Sequence, residues 1–523
     1  MYPGQFAVTH PEKTAVLMGG PDWPAATDAV VTRLSYAELN ASSVRLARLL
    51  AENGLRPGDT LAILAENHPR YFEVFWAAIR SGLYLTAVNW HLAPSEVAYQ
   101  VADSGARALV ATRRFSELAA QAAVKVPDCR VRLMMDGVVD GFEPYEDAVA
   151  VVSAEPLATE PVGEVMLYSS GTTGRPKGIQ RPLSGLQVTD PERTRLSLFG
   201  QLLLRWTEDL VYLCPAPLYH AAGLQWSGAV HEIGGTLVIL DKFDPERLLA
   251  VIERERVTHV QLVPTMMVRL LKLPDEVRRC YDLSSLVSVL HAAAPCAPDV
   301  KRAMIDWLGP IIDEYYAATE GSGLTFISSP DWLAHPGSVG PALASVPHIC
   351  DEAGGELPPG VPGLLFFEQE KAPFEYHGDP EKTKASRHPE HPNWTTTGDV
   401  GYLDEAGFLY LTDRKSFMII SGGVNIYPAE VEAALIMHPK VADVAVFGLP
   451  DPEMGEYVHA VVAPAAGIEP DDELAEELRA YARASVAHYK VPRTFAFRPE
   501  LPRMPTGKLN KLKLREEYLT SAR

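Results

Sequence analysis

Four short clusters in this chain carry residue types that could handle phosphate and carboxylate groups. The first is Tyr168-Ser169-Ser170-Gly171-Thr172-Thr173-Gly174-Arg175-Pro176-Lys177-Gly178. Its glycines let backbone N–H groups approach an anion, its hydroxyls add donors, and Lys177 adds positive charge, which together suit a polyphosphate. It is not a P-loop, because the G-x-x-x-x-G-K-[ST] spacing is absent and Gly178 follows Lys177. Taken alone, such a run is also a polar hairpin turn. The second cluster is Asp313-Glu314-Tyr315-Tyr316-Ala317-Ala318-Thr319-Glu320-Gly321, which follows the apolar pair Ile311-Ile312 and could end a strand. An aromatic ring can stack on a nucleobase, and a hydroxyl and a carboxylate can meet a phosphate and its Mg²⁺. Thr319-Glu320 would serve equally as a helix cap. The third pairs Thr397-Gly398-Asp399 with Asp413-Arg414-Lys415. An aspartate can accept from the vicinal hydroxyls of a ribose, and an arginine adds donors. As separate fragments these are ordinary turn and surface charges. The fourth is Pro505-Thr506-Gly507-Lys508, a lysine in a turn of the kind that is usually solvated.

The elements that must position these residues are legible as alternating strands and helices. Ser35-Tyr36-Ala37-Glu38 has capping-box spacing and opens an amphipathic segment toward Gly54. A short apolar run spans Thr60 to Leu64, and 69–82 reads as a helix closed by Gly82. Gly235 to Leu240 is a buried-strand pattern, and Asp244-Pro245 then opens a helix as N-cap and first helical residue. Thr258 to Val263 is another strand, before a helix opened by Pro264. Strand and helix alternating at this spacing predict parallel α/β packing. The stretch 370–394 is polar and broken by four prolines, so it reads as a surface loop whose histidines, His377, His388 and His391, are solvated rather than metal-binding. After residue 413 the pattern fits a small α+β domain.

With 523 residues, several domains or subdomains are expected. The 47 basic and 67 acidic residues give a net charge of −20, which argues against a nucleic-acid partner but leaves room for an anionic small ligand. Five scattered cysteines with no C-x-x-C read as reduced structural thiols of a cytoplasmic protein. No secretory signal is visible at the N-terminus, and no apolar run is long enough for a membrane span.

Together and in this order, the clusters resemble the adenylate-forming (ANL) superfamily, which includes acyl- and aryl-CoA ligases, non-ribosomal peptide adenylation domains and beetle luciferase. The resemblance covers essentially the whole chain and extends to Pro217-Leu218-Tyr219-His220, His291-Ala292-Ala293-Ala294-Pro295, and Ser421-Gly422-Gly423-Val424-Asn425-Ile426-Tyr427-Pro428-Ala429-Glu430. It implies a large N-terminal domain of stacked α/β subdomains with a small β-rich part, residues 1–413, and a small α+β domain, 414–523, that rotates about a hinge near 414–416. It further implies ATP-dependent activation of a carboxylic acid to an acyl-adenylate with release of pyrophosphate, then thioester formation with coenzyme A.

By this resemblance, Ser169, Ser170, Gly171, Thr172, Thr173, Gly174 and Lys177 would hold the β- and γ-phosphates. Tyr316 would stack on adenine opposite Ala293, Ala294 and Pro295, with Glu314, Tyr315 and Ala317 beside it. Thr319 would meet the α-phosphate and Glu320 would hold Mg²⁺. Asp399 would bind the ribose with help from Arg414, and Lys508 would bridge the substrate carboxylate and the α-phosphate. His220 would gate the carboxylate site. Ser421, Gly422 and Gly423 would pass pantetheine, and Tyr219, His220, Ala222, Gly223, Ala292, Gly321, Gly323 and Leu324 would line an acyl pocket. These lining residues are mostly small or apolar, so a fatty or aromatic acid is expected. A homodimer is compatible with the resemblance. Two departures stand out. Ala317 replaces a glycine the family often has, and Ser416 stands where relatives carry an aspartate or lysine pivot, leaving Lys415 as an alternative. Loading of a carrier-protein thiol, or nucleotide binding without catalysis, are the competing readings.

Overall fold

The computed structural model describes residues 2–521 apart from 21, 25–30, 170–175, 194, 415–416, 423 and 504–508. The contacts divide the chain into two compact units. The first comprises Met1–Gln261, Pro274–Val289 and Pro373–Thr383; the second comprises Leu262–Leu273, Leu290–Ala372 and Lys384–Arg523.

The first unit contains a six-stranded sheet in the order Glu143–Pro144, Val131–Met135, Ala106–Thr112, Thr60–Leu64, Tyr84–Ala87 and Glu164–Val165. Every pairing in it is parallel, which requires a crossover between strands. Thr60–Leu64 is buried along its whole length, as expected of a strand covered on both faces. Elsewhere in the unit, Thr14–Gly19, Thr236–Ile239 and Val211–Cys214 run parallel side by side, and Val31–Ser35 closes an edge in the antiparallel sense. The helix Tyr36–Glu52 starts with the predicted capping box, and Asp244 accepts from the Arg247 N–H at the head of Pro245–Glu255.

The second unit holds an antiparallel hairpin of Ile312–Ala317 and Leu324–Ile327. It also holds an antiparallel sheet built from Val346–Cys350, Gly363–Glu368, Asp399–Leu403 and Leu409–Arg414. Toward the C-terminus, Val441–Asp451 and Gly455–Pro464 form a long hairpin, joined by Ile419–Ser421 and by Thr494–Phe497. Apolar residues of the helices Pro428–Ile436 and Asp472–Ser485 share one core with this sheet, and Leu514 of Lys511–Ser521 shares another, which is the α+β layout the periodicity predicted. Within the unit, Lys272 donates through Nζ to the carbonyl of Ile436 at 3.2 Å and to that of Val441, the former being the last residue of Pro428–Ile436.

The segment 370–394 corrects the surface-loop expectation. It contains the strand Glu375–Tyr376, the helix Pro380–Ala385 and the start of Trp394–Thr395. His388 is buried rather than solvated: its Nε2 lies 2.9 Å from the Gly354 carbonyl, and the N–H groups of Glu390 and His391 donate to its Nδ1. Prolines misled the reading because they leave room for short elements here, and Pro380 opens one of them. Among the described residues, no helix is long and apolar enough to cross a membrane.

Candidate active site

In the first unit, the glycine-rich run begins and ends in two antiparallel strands. Leu167–Ser169 pairs with Lys177–Gln180, with Ser169 opposite Lys177 and Tyr168 opposite Gly178. Ser170, Gly171, Thr172, Thr173 and Gly174 lie outside the described residues. Tyr168 anchors one of the two strands by donating to Asp103 at 2.8 Å. A Cβ on Gly178 would lie 3.2 Å from the Tyr168 ring and 3.3 Å from Cβ of His377, whose N–H donates to the Gly178 carbonyl, so the residue lets two strands approach closely. Lys177 lies 3.3 Å from Asp379, and that carboxylate holds the lysine pKa above its ordinary value, keeping it charged.

Also in the first unit, Tyr219 and His220 precede the helix Ala221–Glu232, with His220 as its extended N-cap residue and the two rings 4.3 Å apart. Ala222 is half-buried and Gly223 is buried. A Cβ on Gly223 would approach the Pro217 carbonyl to 2.6 Å, so only glycine lets the chain fold back on the turn before it. Around Tyr219 lies an aromatic layer that no motif announced. Trp90 stacks on Phe115 at 5.0 Å, and Trp90 and His91 meet the Tyr219 ring edge-on at 6.3 and 6.2 Å. These residues come from distant segments, so only the folded chain reveals them.

In the second unit, the strand Ile312–Ala317 ends within this cluster, as its position after Ile311-Ile312 suggested. Tyr316 donates to Asp399 at 2.6 Å, and Thr397 donates to the same carboxylate oxygen at 2.7 Å. Asp399 is paired across the sheet with Arg414, of which the backbone alone is described. Strand alternation separates the other expected nucleotide contacts: Tyr315 and Ala317 face opposite to Glu314 and Tyr316. Glu314 is buried and turned to Lys301, 2.7 Å away, and to His291, 3.4 Å away. Ala317 lies in the strand without a left-handed backbone, so replacing a glycine there causes no strain. Ala292 is buried behind the strand Ser288–His291, whereas Ala293 has φ +76°, a conformation costly for a residue with a Cβ, and Ala294 and Pro295 follow toward solvent.

Thr319 and Glu320 occupy a turn closed by the Gly321 N–H on the Ala318 carbonyl, and no helix follows, which removes the cap alternative. Gln369 donates to the carbonyls of Gly321 and Ser322 at 2.7 and 2.6 Å, fixing the chain just beyond. A Cβ on Gly323 would meet the Phe367 ring at 2.2 Å, and Leu324 is half-buried beside it. Glu320 is largely buried and offers one hard carboxylate oxygen set, and no group of three or more metal-binding side chains occurs among the described residues. That donor chemistry fits Mg²⁺, which needs only one or two carboxylates when phosphate supplies other ligands.

In the C-terminal sheet, Gly422 takes φ +56°, and its N–H donates to the Met454 carbonyl at 2.8 Å, while a Cβ there would lie 2.4 Å from Cε of Met454. Ser421 ends the strand Ile419–Ser421. Gly423, Lys415, Ser416 and Lys508 lie outside the described residues.

Comparison with known proteins adds to this geometry. A family model described as AMP-binding enzyme matches residues 6–372, and one described as AMP-binding enzyme C-terminal domain matches 430–508. The chain is similar to a feruloyl-CoA synthase of an Amycolatopsis species, 34% identical over 520 residues, covering 99% of this chain and 98% of that one. It is also similar to a fatty acid–[acyl-carrier-protein] ligase of Streptomyces coeruleorubidus, 30% identical over 492 residues, covering 93% and 92%. Among solved structures, an amide bond synthetase from Marinactinospora thermotolerans superposes with a TM-score of 0.80 at 28% identity, covering 99% of each chain.

Proposed function

This chain belongs to the AMP-binding enzyme family, the adenylate-forming acyl- and aryl-CoA ligases, and on that premise we propose that it joins an apolar carboxylic acid to coenzyme A. In the first step an acid oxygen attacks the α-phosphorus of ATP, and pyrophosphate leaves with the bridging oxygen. In the second, the thiol sulfur of coenzyme A attacks the acyl carbon, and AMP leaves with the electron pair of the broken C–O bond.

The observation that best supports the nucleotide part is Tyr316 donating to Asp399, alongside Thr397. The ring is held for stacking on adenine, with the Ala293–Pro295 turn as the opposite wall, and the carboxylate is left to accept from ribose hydroxyls, with Arg414 adjacent. Lys177 and the run before it grip the departing phosphates. Thr319 donates to the α-phosphate. Glu320 would hold Mg²⁺, which supplies positive charge to the polyphosphate. Lys508 offsets the repulsion between two anions as they meet. His220 gates the carboxylate, and Ser421 to Gly423 pass the pantetheine arm, with rotation near 414–416 exchanging the two steps.

The acceptor is the open choice, because relatives include ligases for coenzyme A and for a carrier protein. The test is AMP and pyrophosphate release with ATP, a panel of acids, and either free coenzyme A or a carrier protein. Release that needs coenzyme A supports the proposal; release that answers only to the carrier favours the second reading; none with any acid sinks both. Lys508→Ala is expected to cripple adenylation while sparing thiol attack on supplied acyl-adenylate, and equal loss of both steps would refute its role.

A further inference from the structure

Two buried phenols in the first unit break a rule that four other buried tyrosines there keep. Tyr36 donates to the Gly235 carbonyl at 2.7 Å, Tyr84 to the Arg181 carbonyl at 2.8 Å, Tyr145 to Glu73 at 2.8 Å and Tyr212 to Gln261 at 3.0 Å. Tyr71 and Tyr219 are 0% and 4% exposed, yet among the described residues neither hydroxyl has a hydrogen-bond partner. A buried hydroxyl left unpaired is costly, and a native structure that keeps one calls for a specific reason. The two belong together: the Tyr219 hydroxyl adds to the burial that already pushes the Tyr71 pKa up.

Their surroundings say what would pair with them. Tyr219 touches His220 on one side, and on the other meets Trp90 and His91, with Phe115 stacked beyond. Flat apolar rings favour a flat apolar guest. The hydroxyls ask for an oxygen on that guest. A plain alkyl tail supplies neither and would leave both phenols unpaired.

Resting on the ligase reading above, we propose that the acid is an aromatic one bearing a ring oxygen substituent, recognised by the hydroxyl of Tyr219 with that of Tyr71 in support. Tyr219 is then a specificity-determining residue. A site built around a substrate hydroxyl discriminates strongly against the analogue lacking it, because the protein group is then stranded.

The experiment compares kcat/KM for pyrophosphate release with para-hydroxycinnamic acid, cinnamic acid and decanoic acid, in the full chain, its Tyr219→Phe variant and its Tyr71→Phe variant. The unaltered protein is expected to favour the hydroxylated acid over cinnamic acid by about tenfold or more, and both over decanoic acid. Tyr219→Phe should bring the hydroxylated-to-plain ratio to within about twofold of one, and Tyr71→Phe should lower it part of the way. The melting temperature of Tyr219→Phe should not fall, because no protein hydrogen bond is lost. Equal use of the two cinnamic acids by the unaltered protein would overturn the proposal. So would a ratio untouched by Tyr219→Phe, or a drop in melting temperature with equal loss on every acid, the mark of a purely structural phenol. No pyrophosphate with any acid would instead overturn the ligase reading itself.

Discussion

Two fully buried histidines, one in each unit, live in opposite surroundings. His231 accepts from the Trp76 indole through Nδ1 at 3.2 Å and faces the Ala15 carbonyl through Nε2 at 3.1 Å, so a single neutral tautomer satisfies both ring nitrogens. Burial lowers its pKa to about 4. Among the described residues, His291 has no hydrogen-bond partner; it sits beside Glu314, whose carboxylate is held by the buried ammonium of Lys301, with the face of Trp332 5.1 Å from that charge. Burial, aided by Lys301, pushes the His291 pKa well below the ordinary range, while burial raises that of Glu314 against the pull of Lys301. The first arrangement is what a fold needs to close over a polar ring. The second carries charges into a dry interior, at the ends of the two strands that present Ala293 and Tyr316. Buried ion pairs contribute little net stability, so such a cluster is better explained by the geometry it imposes than by the energy it returns.

The comparison can be broken in four ways, from the largest effect to the smallest. Lys301→Met strands the Glu314 charge and should cost about 3–5 kcal/mol in urea unfolding, with Lys301→Met/Glu314→Gln recovering most of it. A double variant as unstable as the single would mean that packing, not charge, is what Lys301 supplies. The pH dependence comes next. Because His231 titrates near 4 when folded and near 6.5 when unfolded, the unfolded chain binds the extra proton between those values. Stability is therefore held above about pH 6.5 and lost as pH falls toward 4, by about 3 kcal/mol for this residue. Unfolding titrations of His231→Gln should show that much less acid sensitivity; an unchanged slope would contradict the neutral assignment. His231→Leu at pH 7.5 removes the ring nitrogens that meet the Trp76 N–H and the Ala15 carbonyl and should cost about 2 kcal/mol, with no change in KM for ATP. Smallest is Tyr316→Phe, which removes one donor to Asp399 and should raise KM for ATP several-fold, about 1 kcal/mol, with the melting temperature nearly unmoved.

The parts legible in the sequence were those set by neighbours along the chain. Ser35 with Glu38 and Asp244 before Pro245 cap helices by contacts three residues away, and both are in place. Tyr316 and Asp399, 83 residues apart, were legible as parts of one site through resemblance, and their hydrogen bond joins them. Lys301 was not legible. A lysine on the amphipathic helix Pro298–Leu308 reads as a solvent-facing charge, and nothing local says that Glu314 and Trp332 close over it. The same holds for Tyr71, Trp90 and Phe115, which gain meaning only around Tyr219. In 370–394, proline content suggested irregular chain, yet burial of Trp394 and His388 against Phe366 gives that stretch an ordered core.

Ala317 has a bearing on the chain when it is not folded at all. Its backbone in Ile312–Ala317 is one that any residue adopts, so a glycine would bring nothing to the native state there. In the unfolded ensemble the two differ: glycine roams conformations that a Cβ forbids, and all of that freedom must be surrendered on folding. The methyl group therefore favours the folded state by about 0.4–1 kcal/mol through what it denies the unfolded chain.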